Sequence, residues 1–171
     1  KNEHLACNNF CQSTKRSFQI FLLQPGLKHN EIDTPQSILL FILEGEIELS
    51  TDTVYNRILH KNEIVLIPAG SNYSIEVKKD SRITSCCFSN DIKLCNRIHL
   101  ESLSEYKKES VYNYSTLRIQ KEIHLFLSLL NNYLEDDIGC KHLQELKLQE
   151  LFILFRAYYT KEQLVNFFYP I

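Results

Sequence analysis

The sequence predicts a mainly β fold that ends in helices: antiparallel strands through roughly the first hundred residues, then about three helices. Three observations carry this. Residues Ile42 to Leu49 alternate with a period of two, Ile64 to Ile67 form a continuous apolar run closed by Pro68-Ala69-Gly70, and beyond Thr116 the apolar spacing lengthens to three and four.

In the first stretch Ile42, Glu44, Glu46 and Glu48 share one parity and Leu43, Gly45, Ile47 and Leu49 the other, so one face of the strand meets a core. Gly45 inside the strand marks a bulge or a close approach of another backbone. Ser50-Thr51-Asp52-Thr53 interrupts the pattern and Val54 to Leu59 resumes it, which predicts a hairpin. The turn His60-Lys61-Asn62-Glu63 leads into the strand Ile64 to Ile67; Pro68-Ala69-Gly70 ends it, and another strand follows over Tyr73 to Val77.

The helices come next. Ile119, Ile123, Phe126, Leu127, Leu130 and Leu134 recur on one helical face, predicting a helix over about Thr116 to Tyr133, and Leu117, Leu125, Leu129 and Tyr133 widen its apolar surface. A second helix is expected from Leu143 to Tyr159 after a break at Gly139. Thr160-Lys161-Glu162-Gln163 has the form of a capping box and opens a third helix through Phe168, stopped by Pro170.

The segment from about Gln24 to Phe88 resembles a cupin, the small antiparallel jelly-roll barrel. Metal-binding cupins carry a His-x-His pair and a Glu ahead of the first-motif glycine, and a second-motif histidine after Pro-x-Gly. Fixing the frame on Gly45 and on Pro68-Ala69-Gly70 puts Ile38 at the Glu position, Asp33, Thr34 and Pro35 near the histidine pair, and Tyr73 at the last histidine. Asn62 stands where the second motif begins with glycine, and Asn tolerates the left-handed conformation. An isoleucine and a phenol do not coordinate a transition metal, so no metal and no cofactor is expected there.

A cupin-like barrel followed by a helical end with a short capped helix resembles the amino-terminal regulatory half of AraC-family bacterial transcription regulators. The resemblance implies a small-molecule effector in the barrel, a homodimer through the carboxy-terminal helices, and DNA contact through helix-turn-helix units further along. No such unit is recognisable here. The chain contains no methionine, which fits a piece of a longer protein, so the DNA-binding units are expected after residue 171. The organisation expected is a cupin-like effector-binding barrel over residues 1–110 and a helical dimerisation subdomain over residues 111–171, with the polar stretch Ser102 to Ser115 as the junction.

Composition narrows the function classes. The chain has 171 residues, 44% of them hydrophobic, enough for one core. Nineteen Lys and Arg stand against 21 Asp and Glu, for a net charge of -2, so there is no general positive field to hold a phosphate backbone. The longest apolar run, Ile38 to Leu43, is too short to span a bilayer and the first residues lack a secretory layout, which predicts a cytoplasmic protein without a membrane partner. The six cysteines, including His4-x-x-Cys7-x-x-x-Cys11 and adjacent Cys86-Cys87, lack paired zinc spacing and are expected as reduced, packed thiols, with a zinc site as the alternative. His29, His60, His99, His124 and His142 share no spacing, and no catalytic constellation stands out.

Strand parity selects the candidate site. Ile38, Leu40 and Ile42 on one strand and Tyr73, Ile75 and Val77 on another are expected to line the barrel interior, with Asp33 or Thr34 near the mouth as polar anchors. The interior is then either an apolar pocket or is filled by these side chains. The dimer interface is expected at Ile119, Ile123, Phe126, Leu127 and Leu130. The function read from these features is effector sensing and dimerisation for a DNA-binding regulator; the alternatives are a cupin enzyme acting on a small molecule such as a sugar, and a stand-alone ligand-binding cupin.

Overall fold

A computed structural model describes residues 17–89, 93–95, 98–99 and 112–171. Seven strands make one antiparallel sheet: β1 (Phe18–Leu23), β2 (Lys28–Glu31), β3 (Ser37–Thr51), β4 (Arg57–His60), β5 (Glu63–Ile67), β6 (Tyr73–Phe88) and β9 (Thr116–Arg118). A separate two-stranded pair joins β7 (Lys93–Cys95) to β8 (Ile98–His99), and three helices follow, α1 (Lys121–Glu135), α2 (Lys141–Tyr158) and α3 (Lys161–Phe168).

Two long strands organise everything else. β3 and β6 pair along nearly their whole length, from Ser37↔Phe88 to Thr51↔Tyr73. The first half of β3 is flanked by β5 and then β9, while its second half is flanked by β4; likewise β6 pairs with β2 at its start and β1 at its end. The sheet therefore folds into two layers, β9-β5-β3-β6-β1 and β4-β3-β6-β2, joined where β3 and β6 bend. This is the cupin-like antiparallel fold with a helical end, although the hydrogen-bonding path stays open rather than closing on itself.

The bend has a local cause. The β3–β6 register shifts on both sides of Gly45, whose φ is +84°. A methyl group there would overlap the Asp80 carbonyl and the Ser81 hydroxyl, and would lie 2.6 Å from Ser81 Cα, so only glycine lets the two backbones come this close. Ser81 Oγ accepts a hydrogen bond from Glu46 N at 3.1 Å, stitching the bulge. The bulge also reverses the parity of β3: Leu40 and Ile42 before it and Ile47 and Leu49 after it all face the same interior. The single alternation expected from Ile42 to Leu49 is corrected here: it set Ile47 and Leu49 on the parity opposite to Ile42, yet all three are fully buried in the same interior.

Two cores result. Between the layers lie Leu40, Ile42, Ile47, Leu49, Leu59, Val65, Ile67, Tyr73, Ile75, Val77, Ile83 and Tyr114. On the other face of the first layer, Phe18, Leu39, Phe41, Ile64, Leu66, Cys86 and Phe88 pack against the helices. Ring pairs hold this second core, with Phe18 to Phe126 at 6.2 Å, Phe88 to Phe152 at 5.3 Å and Phe41 to Phe155 at 6.4 Å between centroids. Phe18 N donates to Gln144 Oε1 at 3.0 Å and Thr84 Oγ1 donates to Asn131 Oδ1 at 3.1 Å, both buried, so α2 and α1 are tied to the strands beneath them. Barrel and helices thus share the second of these cores; the boundary expected between residues 110 and 111 falls outside the described residues. The third helix starts at the expected box, with Gln163 N donating to Thr160 Oγ1 and Thr160 N donating to Gln163 Oε1. The first helix begins later than expected, because Thr116 to Arg118 pair with β5 as a strand.

Candidate functional site: an apolar cavity inside the barrel

Between the layers, the interior core does not close completely. A cavity of about 430 Å3 remains, within the size range of small-molecule sites. β1 lends it Gln19, Phe21 and Leu23; β3 lends Ile38 and Leu40; β6 lends Tyr73, Ile75, Ile83, Ser85 and Cys87; Leu27 and His29 complete the wall. Cross-strand register explains the arrangement, since Ile38↔Cys87 and Leu40↔Ser85 face each other across β3 and β6, and Gln19↔Ser85 across β1 and β6.

Four of the sequence-selected residues, Ile38, Leu40, Tyr73 and Ile75, stand on this wall. Ile42 points the same way but is sealed within the core, as is Val77. Asp33 and Thr34 lie elsewhere: Asp33, at φ 53°, donates its N–H to Asn72 Oδ1 at 3.0 Å, and Thr34 exchanges backbone bonds with Ser71 and Gly70 at 3.2 and 2.7 Å. Their work is to pin the Pro68-Ala69-Gly70 turn, where Ala69 N also donates to Ser37 Oγ at 3.1 Å. Gln19, Phe21, Leu23, Leu27 and His29 were not selected from the sequence, because Phe18 to Leu23 has no alternation of polarity: its cavity face begins with a glutamine and its opposite face begins with Phe18 in the helical core.

The chemistry of the wall is almost wholly neutral. Tyr73 is buried to 9% exposure and its phenol is pushed up to about 12, first by burial, then by the nearby Glu31 carboxylate and lastly by the neighbouring Cys87, so it stays a neutral donor and acceptor. Its ring lies 5.9 Å from that of His29, whose Nε2 is 3.6 Å from Glu31 Oε2 at the exposed rim. Burial also raises the Cys87 thiol, making it a poor nucleophile, while Cys86 points into the helical core on the other face of the strand. Cys86, Cys87 and Cys140 are free thiols; the His4, Cys7 and Cys11 cluster lies outside the described residues. Among the described residues no group of three or more His, Cys, Asp or Glu side chains comes together as metal ligands would. Ile38 and Tyr73, at the positions aligned with cupin ligands, offer the cavity a hydrocarbon and a phenol.

The outer face of the second layer is a charged lattice. Lys78 Nζ bridges Glu76 and Glu48 at 3.1 and 3.2 Å, Lys28 reaches Glu76 at 3.3 Å, and Glu46 accepts from Lys79 at 3.0 Å and contacts His60 at 3.1 Å. Directly opposed Glu48 and Glu76 tolerate each other through Lys78. These pairs are solvated and mark the face as a surface.

The residues expected at a dimer interface are placed differently from that expectation. Ile119, Ile123, Phe126, Leu127 and Leu130 are all buried in the chain's own helical core, and Ile119 precedes α1. The apolar side chains that α1 turns outward are Leu125 and Leu129, at 62% and 45% exposure; α2 turns out Leu146 and Ile153 at 63% and 58%. No helix among the described residues is long and apolar enough to cross a membrane.

Solved structures to which part of this chain is similar include a Streptococcus pyogenes protein of unknown function, at 16% identity over 44% of this chain and 65% of that one, TM-score 0.40. A cupin 2 conserved barrel domain protein from Leptotrichia buccalis is 16% identical over 41% of this chain and 33% of that one, TM-score 0.39. A cupin superfamily protein from Desulfitobacterium hafniense is 23% identical over 46% of this chain and 72% of that one, TM-score 0.40. The chain thus spans less than two thirds of the length of the first two. A search of curated proteins gives no match. Residues 37–167, from the start of β3 into the last helix, match the ExsA N-terminal regulatory domain, and the chain belongs to that family of regulatory domains of AraC-type regulators.

Proposed function

We propose that this domain senses a small-molecule effector in its barrel and holds two copies of a cytoplasmic, DNA-binding transcription regulator together through its helices. The observation that carries the reading is the apolar cavity of about 430 Å3 at the place where the aligned cupin ligand positions hold Ile38 and Tyr73. A preformed pocket is the means by which a ligand can favour one arrangement of a protein over another, which sensing requires. Self-association would use Leu125 and Leu129, since the inward face of α1 is already occupied by the chain's own strands. DNA contact belongs to helix-turn-helix units outside this chain, whose net charge of -2 gives it no phosphate-binding field. The domain itself then has no catalytic role, and a cupin enzyme is the rival reading.

Sedimentation of the chain and of its Leu125→Glu, Leu129→Glu double variant tests the assembly. The expected result is a dimer that becomes a folded monomer; a dimer unaffected by both charges would remove the helical interface from the account. In parallel, a full-length regulator carrying this domain should bind promoter DNA with salt-sensitive affinity while the isolated chain does not, and elemental analysis showing a stoichiometric metal in the barrel would favour the enzyme.

A further inference from the structure

Whatever fills the cavity must satisfy walls of an unusual kind. Among the described residues no Lys, Arg, Asp or Glu lines it, and the one side chain able to carry positive charge, His29, is more than half exposed and sits beside Glu31 at 3.6 Å. A carboxylate brought inside would lose its water and find no Lys or Arg to balance its charge. Three neutral polar groups do line the cavity: the Gln19 amide and the Ser85 hydroxyl, at registered positions on adjoining strands, and the Tyr73 hydroxyl near the other end of β6. None of the three has a side-chain hydrogen bond among the described residues, and Ser85 is only 5% exposed. An unpartnered hydroxyl in an apolar chamber calls for one complementary group on a ligand. Between these two polar ends the walls are hydrocarbon, from Phe21, Leu23 and Leu27 to Ile38, Leu40 and Ile75. A sugar, polar all around its ring, would leave most of its hydroxyls facing those walls.

We propose that the barrel takes an uncharged, predominantly apolar small molecule whose single hydroxyl or carbonyl group hydrogen-bonds Ser85 and Gln19, and that it discriminates against carboxylates and sugars. This rests on the reading of the cavity as an effector site and adds to it the chemical class of the effector. The discrimination is physical, since the same shape with a carboxylate in place of a hydroxyl loses far more hydration and meets no opposite charge on the walls to offset that loss.

Calorimetric titration with three probes tests it: 2-naphthalenemethanol, 2-naphthoate of the same shape but charged, and glucose. The alcohol should bind, with 2-naphthoate at least about tenfold weaker and glucose giving no heat. Ser85→Ala should weaken the alcohol about fivefold while leaving 2-methylnaphthalene, which has no polar group, unchanged. Leu40→Trp, which fills the cavity, should abolish binding; should that variant lose its fold by circular dichroism, the Ser85→Ala comparison decides. Naphthoate or glucose binding as tightly as the alcohol would overturn the ligand class while leaving a small-molecule site in place. Silence from all three probes and from 2-methylnaphthalene would overturn both the class and the effector reading, and alcohol binding that survives Leu40→Trp in a folded protein would place the ligand elsewhere and overturn the proposal.

Discussion

Gly45→Ala adds one methyl group at the point where β3 crosses from one layer of the barrel to the other, and its cost can be worked out against an internal control. Holding a non-glycine residue in the left-handed region costs about 1–2 kcal/mol, and Gly45 has φ +84°. The methyl would also run into the Asp80 carbonyl and the Ser81 hydroxyl and come within 2.6 Å of Ser81 Cα, where the obstacle is backbone and cannot swing away. Overpacking of this kind adds about 1–3 kcal/mol. Displacing Ser81 further endangers its bond to Glu46 N at 3.1 Å, a loss of about 1 kcal/mol. The sum is about 3–6 kcal/mol, a large part of a domain's stability. Gly26 has nearly the same φ, +86°, but a methyl there meets nothing within 4 Å, so Gly26→Ala should cost only about 1–2 kcal/mol. Urea unfolding of the two single variants at matched pH measures the difference. If Gly45→Ala proves no more destabilising than Gly26→Ala, the close β3–β6 crossing, and with it the parity reversal that builds the cavity, is wrong.

Two other perturbations follow from the same geometry. Thr160→Ala removes the hydroxyl that caps α3 and should lower stability by about 1 kcal/mol in chemical denaturation, because Gln163 N loses its acceptor in the capping box. His124 is held below the usual imidazole value by burial, with Lys61 adding to it, while its Nε2 lies 2.9 Å from Asn62 Oδ1 at the β4–β5 turn. The unfolded chain therefore takes up this proton at higher pH than the folded chain does. The stabilising contribution is complete above about pH 6.5 and is lost as pH falls through that value toward the lowered one. His124→Gln, which can keep a bond to Asn62 without titrating, should flatten the melting temperature between about pH 7 and pH 5.5; an unchanged slope would mean His124 does not carry the effect.

The sequence showed the parts of the fold whose signals are local. The hairpin around Ser50 to Thr53, the Pro68-Ala69-Gly70 stop, the left-handed Asn62, at φ 69°, and the Thr160 box each depend on residues within a few positions of one another. What it hid is set by long-range pairing. Leu117 and Ile119 fit a helical stripe that continues through Ile123, yet pairing with Glu63 to Val65 makes Thr116 to Arg118 a strand. Nothing in the spacing distinguishes the two. The same holds for parity: Gly45 was legible as a bulge, but its consequence for Ile47 and Leu49, which join Ile42 in one interior, appears only once β6 is laid alongside. Ile38, Leu40, Tyr73 and Ile75 could be placed on the cavity wall because each lies on a strand with a fixed frame, whereas Asp33 and Thr34, in a loop, had no such frame and serve the turn instead. The apolar stripe on α1 was visible, but a stripe buried against the chain's own sheet and one buried against a second copy read alike in sequence.

Two back-to-back cores are divided by the β3–β6 layer, one filled by the helices and one holding the cavity. Methyl-labelled NMR of the chain titrated with 2-naphthalenemethanol separates them directly. Shifts should appear at Ile38, Leu40, Ile75 and Ile83 and be absent from Leu39, Ile64, Leu127 and Leu130, which lie on the helical side. Shifts confined to the helical set, or none at all at saturating probe, would contradict the claim that the barrel interior is a binding chamber.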